Sequence, residues 1–311
     1  MAIPSFKAEE MKQLQETVGF ASYGDVHERA LEYMRWRRDS AVQASPGLAP
    51  TAEMASDTRL MRFLVAKGFD CAGAAEMYID ALRWRVEAGI DAHRQAILNA
   101  NAPFFVEGAP SLQATRLHAR DEKLAEAHPH MFTTPLDGAH ALLRDRHGNL
   151  IDIECPGLVD SAEVIAIGAA EYTSACHQSQ EMVQLVLDEL SRREGRLVLT
   201  LRIIDMTEVR LIKFMQSKQD KDGERIVKDA RTPFADAYPT TTYKTFLVNL
   251  PAAAGAAAPL IKAVVPARSA KKIVLLGSKY ADELAKEAEP SMLPRMLGGQ
   301  LDDGGLWRRK R

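Results

Sequence analysis

Apolar residues recur at spacings of three and four through roughly the first hundred residues, a period that predicts amphipathic helices. Over residues 57–66 the apolar positions share one helical face. A short break at residues 67–70 leads to a second helix, which Gly89 ends and whose apolar face includes Arg85. The pattern predicts a helical hairpin within a helical region that extends over residues 1–125.

Beyond that region, short and nearly continuous apolar runs alternate with helical segments. Three of these runs predict buried strands: RLVLTLRIIDM, YKTFLVNLP and KKIVLLGS. A turn signal at residues 147–149 predicts a hairpin, and the stretch 162–194 predicts one long helix. Strands separated by helices favour right-handed crossovers and a parallel sheet covered on both faces. The sequence thus predicts an α/β fold, in which a helical N-terminal region is followed by a largely parallel sheet with covering helices.

Composition narrows the class of protein. The 40 lysines and arginines almost balance the 42 aspartates and glutamates of this 311-residue chain, so no overall positive charge points to nucleic acid. Cys71, Cys155 and Cys176 are odd in number and widely spaced, which favours a reducing compartment over a disulfide framework. The N-terminus, MAIPSFKAEE, carries charges where a signal peptide needs an apolar core, and no run is long enough to span a membrane. We therefore expect a soluble, cytoplasmic protein.

The sequence contains none of three motifs that commonly mark an enzyme: the G-x-S-x-G elbow, the Walker lysine loop and the dinucleotide-binding G-x-G-x-x-G. His128 and His130 with Cys155 could offer metal ligands, although histidines in a polar loop are more often solvated. Cys176 and His177 could act as nucleophile and base, but neighbours on a helix point in different directions. We expect a protein that is not an enzyme and needs no cofactor or metal.

Seven blocks follow one another along the chain in an order and spacing that resemble the CRAL-TRIO family of lipid-binding proteins. They are SDTRLMRFLVAKGFD, ALRWRVEAGID, HGNLIDIECPG, LRIIDM, YPTTTYKTFLVNLP, KKIVLLGSKYADEL and MLPRMLGG. The resemblance covers residues 57–299. It implies a helical N-terminal region (1–125), a lipid-binding domain (126–300) whose sheet forms the floor of a lipid cavity closed by a mobile helix, and a basic tail (301–311).

The resemblance also implies where a lipid head group would bind. Family members that bind phosphatidylinositol use basic residues in the break of the hairpin, a glutamate after a tyrosine-proline pair, and a lysine that opens the last strand. The matching positions hold Lys67, Gly68, Thr240 and Lys272, with Ser269 in place of a family threonine. Two lysines are adequate for a phosphate, but Gly68 and Thr240 replace a lysine and a glutamate, so inositol specificity does not follow. Alternatively, both lysines are solvated surface charges.

A second candidate site lies on the strand LTLRIID. Alternation places Thr200, Arg202 and Ile204 on one face, and the resemblance implies that this face lines the cavity. Family members that bind phosphatidylcholine carry small hydroxyl residues at the positions of Thr200 and Arg202. An arginine there needs a partner, and Asp152 in LIDIE is the one we expect. The alternative is that Arg202 faces a polar shell and neutralises Asp205 or a helix terminus.

The resemblance places the gate of the cavity on residues 252–266, between the strands TFLVN and KIVLL. This Ala-rich segment contains a glycine and prolines that permit hinge motion. Its apolar face is formed by Leu260, Ile261, Val264 and Val265. The bulky aromatic residues common in family gates are absent, which argues against strong insertion into a membrane. The alternative is a plain Ala-rich helix that covers the sheet.

The expected function is to bind a single phospholipid or other lipophilic ligand in an internal cavity and to transfer it between membranes or present it there. The expected partners are that ligand and, transiently, a membrane surface, with no nucleic acid and with the chain as a peripheral monomer. Trp307 and the four basic residues after it suit an anionic surface, although a frayed, solvated terminus is an alternative. Two other functions stay open: a non-enzymatic scaffold whose cavity has closed, and a carrier of a small hydrophobic ligand with an acidic group.

Overall fold

A computed structural model describes residues 1–16, 19, 23–100, 142–207, 209, 218–250 and 270–301. The chain forms two compact units, each assembled from separate parts of the sequence. The first unit consists of Met1–Ala96, Gln180–Val198 and Thr232–Thr241, and the second of Ile97–Ser179, Leu199–Arg231 and Thr242–Arg311. The predicted division of the chain at residues 125 and 300 stays a prediction, because residues 101–141 lie outside the described ranges.

The secondary structure begins with helices and changes to alternating strands and helices, as the sequence predicts. The first six helices are α1 (Ala8–Glu16), α2 (Asp25–Ala44), α3 (Ala52–Ala55), α4 (Asp57–Ala66), α5 (Cys71–Glu87) and α6 (Ile90–Ala100). The elements that the structure describes after residue 141 are β1 (Leu150–Glu154), α7 (Ser161–Ile167), α8 (Ala169–Glu194), β2 (Thr200–Asp205), α9 (Lys218–Arg231), α10 (Phe234–Ala237), β3 (Thr242–Val248), β4 (Ile273–Leu275) and α11 (Ala281–Glu287). Within the described ranges, no helix is long and apolar enough to cross a membrane.

The helical hairpin of the first unit is confirmed as α4 and α5. Ser56 caps α4 by accepting a hydrogen bond from the amide of Arg59 (3.2 Å), and Asp70 caps α5 by accepting one from Gly73 (3.1 Å). Between the helices Gly68 has φ 59°, in the left-handed region where glycine carries no steric cost. The turn therefore explains a glycine at a position where the resemblance leads one to expect a lysine.

The core of the first unit is built from the apolar faces of α2, α4 and α5. The rings of Phe63 and Tyr78 meet edge to face, with their centroids 5.2 Å apart. Several further side chains of this core are almost completely buried: Tyr33, Met34, Met54, Leu60, Met61 and Leu64. The periodicity of the first hundred residues thus reflects the packing of one helical core.

The four strands of the second unit form one parallel sheet in the order β1-β2-β3-β4, as predicted. The hairpin predicted at residues 147–149 is present as a short antiparallel pairing: Arg144 bridges Leu150, and the amide of Ile151 donates to the carbonyl of Leu143 at 2.9 Å. One local prediction needs correction. The single helix predicted over 162–194 is divided into α7 and α8, because Gly168 has φ 92° and ends α7.

One face of the sheet is packed into the core of the second unit. Its side chains belong to Ile151, Ile153, Leu201, Ile203, Phe246 and Val248. They are buried against α11 and the turns that follow it, through Leu284, Leu293 and Leu297. Because side chains alternate along a strand, the residues between them point to the opposite face of the sheet.

Candidate functional site

Charged and polar side chains gather on the sheet face opposite that core. Asp152 and Glu154 alternate with buried residues along β1, and Thr200 and Arg202 do so along β2. The parallel register places Asp152 directly opposite Arg202. Arg202 therefore shares a face with the acid that the sequence analysis named as its partner.

The same face continues into an apolar strip. Ile204 follows Arg202 along β2, and the register carries the strip through Leu247 of β3 to Ile273 and Leu275 of β4. Ile204, Ile273 and Leu275 are partly accessible and do not belong to the hydrophobic cluster on the other face. Charged and apolar zones thus lie side by side on one surface of the sheet.

Two arginines and two carboxylates form an ion-pair cluster on this face, which we call the charged quartet: Asp152, Glu154, Arg202 and Arg231. Arg202 donates from Nη2 to Glu154, and its Nε lies 3.2 Å from Asp152 Oδ2. Arg231, at the end of α9, donates from Nη1 to the other oxygen of Glu154 at 3.3 Å. The contact with Asp152 is an ion pair without hydrogen-bond geometry, because Arg202 Nε has no acceptor in line with its N–H. Within the quartet, Glu154 therefore contacts two guanidinium groups and Asp152 contacts one.

The two acids of the quartet differ in how well their charges are compensated. Burial alone would raise the pKa of Glu154, but Arg202 and Arg231 outweigh burial and lower that pKa to about 2. Burial also raises the pKa of Asp152; Arg202 opposes the rise and the Glu154 carboxylate adds to it. Asp152 is thus the less compensated charge, although about a third of its side chain stays accessible (31%).

Asp205, the alternative partner considered for Arg202, makes its contacts with other residues. Asp205 accepts hydrogen bonds from the amide and hydroxyl of Thr207, at 2.9 and 2.7 Å, and from Asn249 Nδ2 at 2.9 Å. Asp205 belongs to the other set of alternating side chains on β2. Arg202 instead pairs with Asp152 and with Glu154, and the second acid was not predicted.

A separate charged cluster is buried in the first unit, and it was not predicted from the sequence. Asp188 of α8 accepts a hydrogen bond from Arg59 Nε at 2.9 Å, and its other oxygen accepts one from Arg62 Nε at 3.2 Å. Arg62 also donates to Ser191 Oγ at 3.1 Å and to the carbonyl of Val198 at 3.0 Å. Asp188 is therefore the acid that two buried arginines share.

A third buried arginine, Arg85 of α5, has its own acid. Two of its N–H groups donate to the two oxygens of Glu181, each at 2.8 Å, and Tyr238 donates its hydroxyl to the same carboxylate at 2.9 Å. Arg85 also pairs with the half-exposed Asp91. This bidentate geometry fixes α5 against α8 inside the first unit.

Comparison with known proteins gives the family. Residues 144–299, half of the chain, match the CRAL/TRIO domain. The chain belongs to the CRAL/TRIO family. This membership and the α/β architecture confirm the family and the fold class that the sequence predicts.

Two curated relatives and one solved structure illustrate the CRAL/TRIO likeness. The chain is 26% identical over 288 residues to the SEC14 cytosolic factor of Eremothecium gossypii, covering 90% of this chain and 80% of that protein. It is 24% identical over 255 residues to the phosphatidylinositol/phosphatidylcholine transfer protein SFH9 of Arabidopsis thaliana, covering 80% of this chain and 38% of that protein. The crystal structure of Sfh5 aligns with a TM-score of 0.49 at 16% identity, covering 91% of this chain and 85% of that one.

The head-group residues implied by the CRAL-TRIO resemblance occur in both units. Lys67 is exposed at the C-cap of α4 in the first unit. Thr240, also in the first unit, donates its hydroxyl to the carbonyl of Arg62 at 2.8 Å and accepts at its own carbonyl from that guanidinium at 2.9 Å. Lys272, in the second unit, donates to the carbonyl of Thr242. Their contacts with a ligand stay predictions.

Other predicted residues lie outside the described ranges. They are Ser269, the gate residues Leu260, Ile261, Val264 and Val265, the histidines His128 and His130, and tail residues 302–311. In the part of the chain that the structure describes, no group of three or more His, Cys, Asp or Glu side chains could hold a metal ion. Burial raises the pKa of the Cys176 thiol, which disfavours the thiolate that a nucleophile needs.

Proposed function

We propose that the chain binds one phospholipid over the accessible face of its sheet and carries it between membranes or presents it there. The observation that carries this proposal is the joined charged and apolar surface, with the quartet beside Ile204, Ile273 and Leu275. Such a surface suits the head and the acyl chains of one amphiphile. The names of the relatives, which include a phosphatidylinositol/phosphatidylcholine transfer protein, support the same class of ligand.

A carrier of this kind removes the main obstacle to lipid movement. Each methylene group exposed to water costs about 0.8 kcal/mol, so two acyl chains with about thirty carbons cost on the order of 20 kcal/mol to expose. A cavity over the apolar strip avoids most of this cost. The protein needs no chemical step for that function, and we propose a carrier that is not an enzyme.

The proposal also covers the compartment, the oligomeric state and the ligand contacts of the carrier. We place it in the cytoplasm as a monomer that contacts membranes transiently, in keeping with the name of its cytosolic SEC14 relative. We keep Lys67, Thr200, Thr240, Ser269 and Lys272 as proposed head-group contacts, and residues 252–266 as the proposed gate.

Lipid analysis of the purified protein tests the proposal. Mass spectrometry of its organic extract should find close to one phospholipid per chain, and the protein should accelerate movement of labelled phospholipid between donor and acceptor vesicles. Ile204→Trp should fill part of the apolar strip and lower both the bound lipid and the transfer rate. Ile165→Trp is the matched control, because Ile165 is an exposed isoleucine of the same unit.

The outcomes separate the carrier from its alternatives. A protein that holds no phospholipid after incubation with vesicles and accelerates no transfer would contradict the proposal and favour a scaffold. Equal losses in Ile204→Trp and Ile165→Trp would show that the apolar strip is not the binding surface.

A further inference from the structure

The charged quartet restricts which head group the sheet can accept. It contains two positive and two negative side chains, all on or beside one sheet face of the second unit. Because these charges balance, an anionic ligand group without a positive charge of its own would leave the quartet region negative. The quartet therefore favours a head group that is neutral overall, which disfavours the acidic small ligand considered from the sequence.

Asp152 is the acid of the quartet with the fewer contacts to arginine. Among the described residues only Arg202 reaches this carboxylate, and its Nε–H lacks hydrogen-bond geometry. Burial raises the pKa of Asp152, so its ionised form gains from any cation that approaches. A partly accessible carboxylate whose ion pair with Arg202 lacks hydrogen-bond geometry favours a ligand with an N–H or O–H donor.

A compensating positive group is also available to the ligand. Arg231 contacts Glu154 through Nη1 at 3.3 Å, and about a third of its side chain is accessible. A guanidinium has five N–H donors, so the contacts with Glu154 and with the Cys176 thiol leave Arg231 further donors for a phosphate oxygen. Asp152 and Arg231 belong to one chain of ion pairs, because Arg202 contacts both Asp152 and Glu154, and Glu154 contacts Arg231. The two-carbon linker of phosphoethanolamine allows its ammonium and its phosphate to contact two such neighbouring groups.

We propose that the carried lipid has a zwitterionic head group with a primary ammonium, of the phosphoethanolamine type, whose N–H groups donate to Asp152 and whose phosphate binds Arg231. This inference rests on the proposed function and specifies its ligand. A choline head group has the same charges but no N–H donor, so it leaves the acceptor on Asp152 unsatisfied. Discrimination therefore depends on the number of N–H donors and not on net charge.

A series of head groups that differ only in N-methylation tests this directly. The ligands are phosphatidylethanolamine, its N-methyl and N,N-dimethyl derivatives, and phosphatidylcholine, all with the same acyl chains. The full-length protein is incubated with vesicles that contain the four lipids in equal amounts, and the lipids that it extracts are quantified by mass spectrometry. The amount bound should fall at each methylation, with phosphatidylethanolamine preferred over phosphatidylcholine by about tenfold.

A single substitution then assigns the preference to Asp152. Asp152→Asn keeps the shape of the side chain and removes its charge, and Arg202 stays compensated by Glu154. The preference should shrink to about threefold or less, because a neutral amide accepts a weaker hydrogen bond from an ammonium. Asp229→Asn is the matched control, since Asp229 is exposed on α9 of the same unit, and it should keep the full preference.

Each result supports or overturns the inference. Equal binding of the four lipids, or a preference for phosphatidylcholine, would refute it while leaving the carrier function intact. A preference that Asp152→Asn leaves unchanged would remove Asp152 from the site. If the variant does not fold, the methylation series of the unaltered protein still decides the ligand class. Extraction of none of the four lipids would refute the inference, whereas the carrier function is decided separately by the lipid found in the purified protein.

Discussion

Asp188 is shared by two fully buried arginines, and replacing it by leucine should destabilise the first unit strongly. The exposed fractions of the Arg59, Arg62 and Asp188 side chains are 1%, 0% and 7%. Arg62 would keep Ser191 and the carbonyl of Val198 as acceptors. Arg59 would lose its carboxylate, and its Nη1 already has no hydrogen-bond partner in the described part of the chain.

The size of the loss in stability depends on Arg59, because Arg62 keeps other acceptors and Arg59 does not keep its carboxylate. Leaving a buried charge without its partner costs about 3–5 kcal/mol, so Asp188→Leu should lower the free energy of unfolding by that amount. Arg59→Met should cost about 1–3 kcal/mol, because Asp188 keeps its contact with Arg62. The double variant also removes the guanidinium that lost its carboxylate, so it should be more stable than Asp188→Leu alone. The two substitutions should therefore be coupled by more than the cost of Arg59→Met alone, about 1–3 kcal/mol.

Urea unfolding followed by tryptophan fluorescence measures these free energies. Trp84 reports on the first unit because its ring packs against Tyr238 with the centroids 5.6 Å apart. The control cycle uses Arg83→Met and Asp80→Leu, whose ion pair on α5 is 2.7 Å long but has exposed fractions of 54% and 69%. That pair should be coupled by less than about 0.5 kcal/mol.

Two results would refute the reasoning. One is a double variant whose loss of stability equals the sum of the two single losses. The other is a coupling for Arg59 and Asp188 no larger than that of the exposed control pair. If Asp188→Leu alone fails to fold, the double variant should recover a cooperative unfolding transition, and its failure to do so would count equally against the proposed stranded charge.

Three further predictions concern other charged residues. The wild type should transfer acidic phospholipids less well than phosphatidylethanolamine, and changing Lys67 and Lys272 together to alanine should lower that residual transfer more than the transfer of neutral lipids; an equal loss for all lipids would indicate a general folding or docking defect. Arg202→Met and Asp152→Leu should be coupled by about 1–2 kcal/mol in urea unfolding, because a second carboxylate keeps Arg202 compensated; additive losses would contradict the pair. Burial raises the pKa of Glu181, but its arginine neighbours outweigh burial, so that the pKa lies below the ordinary value of 4.5. The ionised Glu181 carboxylate therefore stabilises the fold above pH 4.5, and this stabilisation is lost as the pH falls through the folded-state pKa. The difference in urea midpoint between the wild type and Glu181→Gln should therefore be full at pH 7 and shrink below pH 4.5, and a constant difference would contradict this.

The parallel sheet could be predicted because its strands leave a local signal. The runs around Thr200–Asp205, Thr242–Val248 and Ile273–Leu275 are almost continuously apolar, and helices separate them. Asp152 could also be predicted from the sequence as a partner of Arg202. Glu154 could have been found by the same rule, since it lies two residues after Asp152 on the same face of β1.

The buried arginines of the first unit could not be assigned partners from the sequence. Arg85 on the apolar face of its helix signals that some acid must reach it, but nothing local says which one. Glu181 is 96 residues away along the chain and Asp188 is 129 residues from Arg59. No periodicity within a helix encodes a pairing over that distance, and only the fold brings these side chains together.

The same separation has a consequence for the order in which the chain is completed on the ribosome. Translation proceeds at about 5–20 residues per second, so roughly ten seconds pass between synthesis of Arg59 and of Asp188 in α8. During that time the hairpin of α4 and α5 has no carboxylate from α8, and the guanidinium groups of Arg59, Arg62 and Arg85 keep their hydration. The hairpin is therefore made early but loses its hydrating water late, because the carboxylates that pair with its arginines lie on a helix encoded roughly a hundred codons downstream.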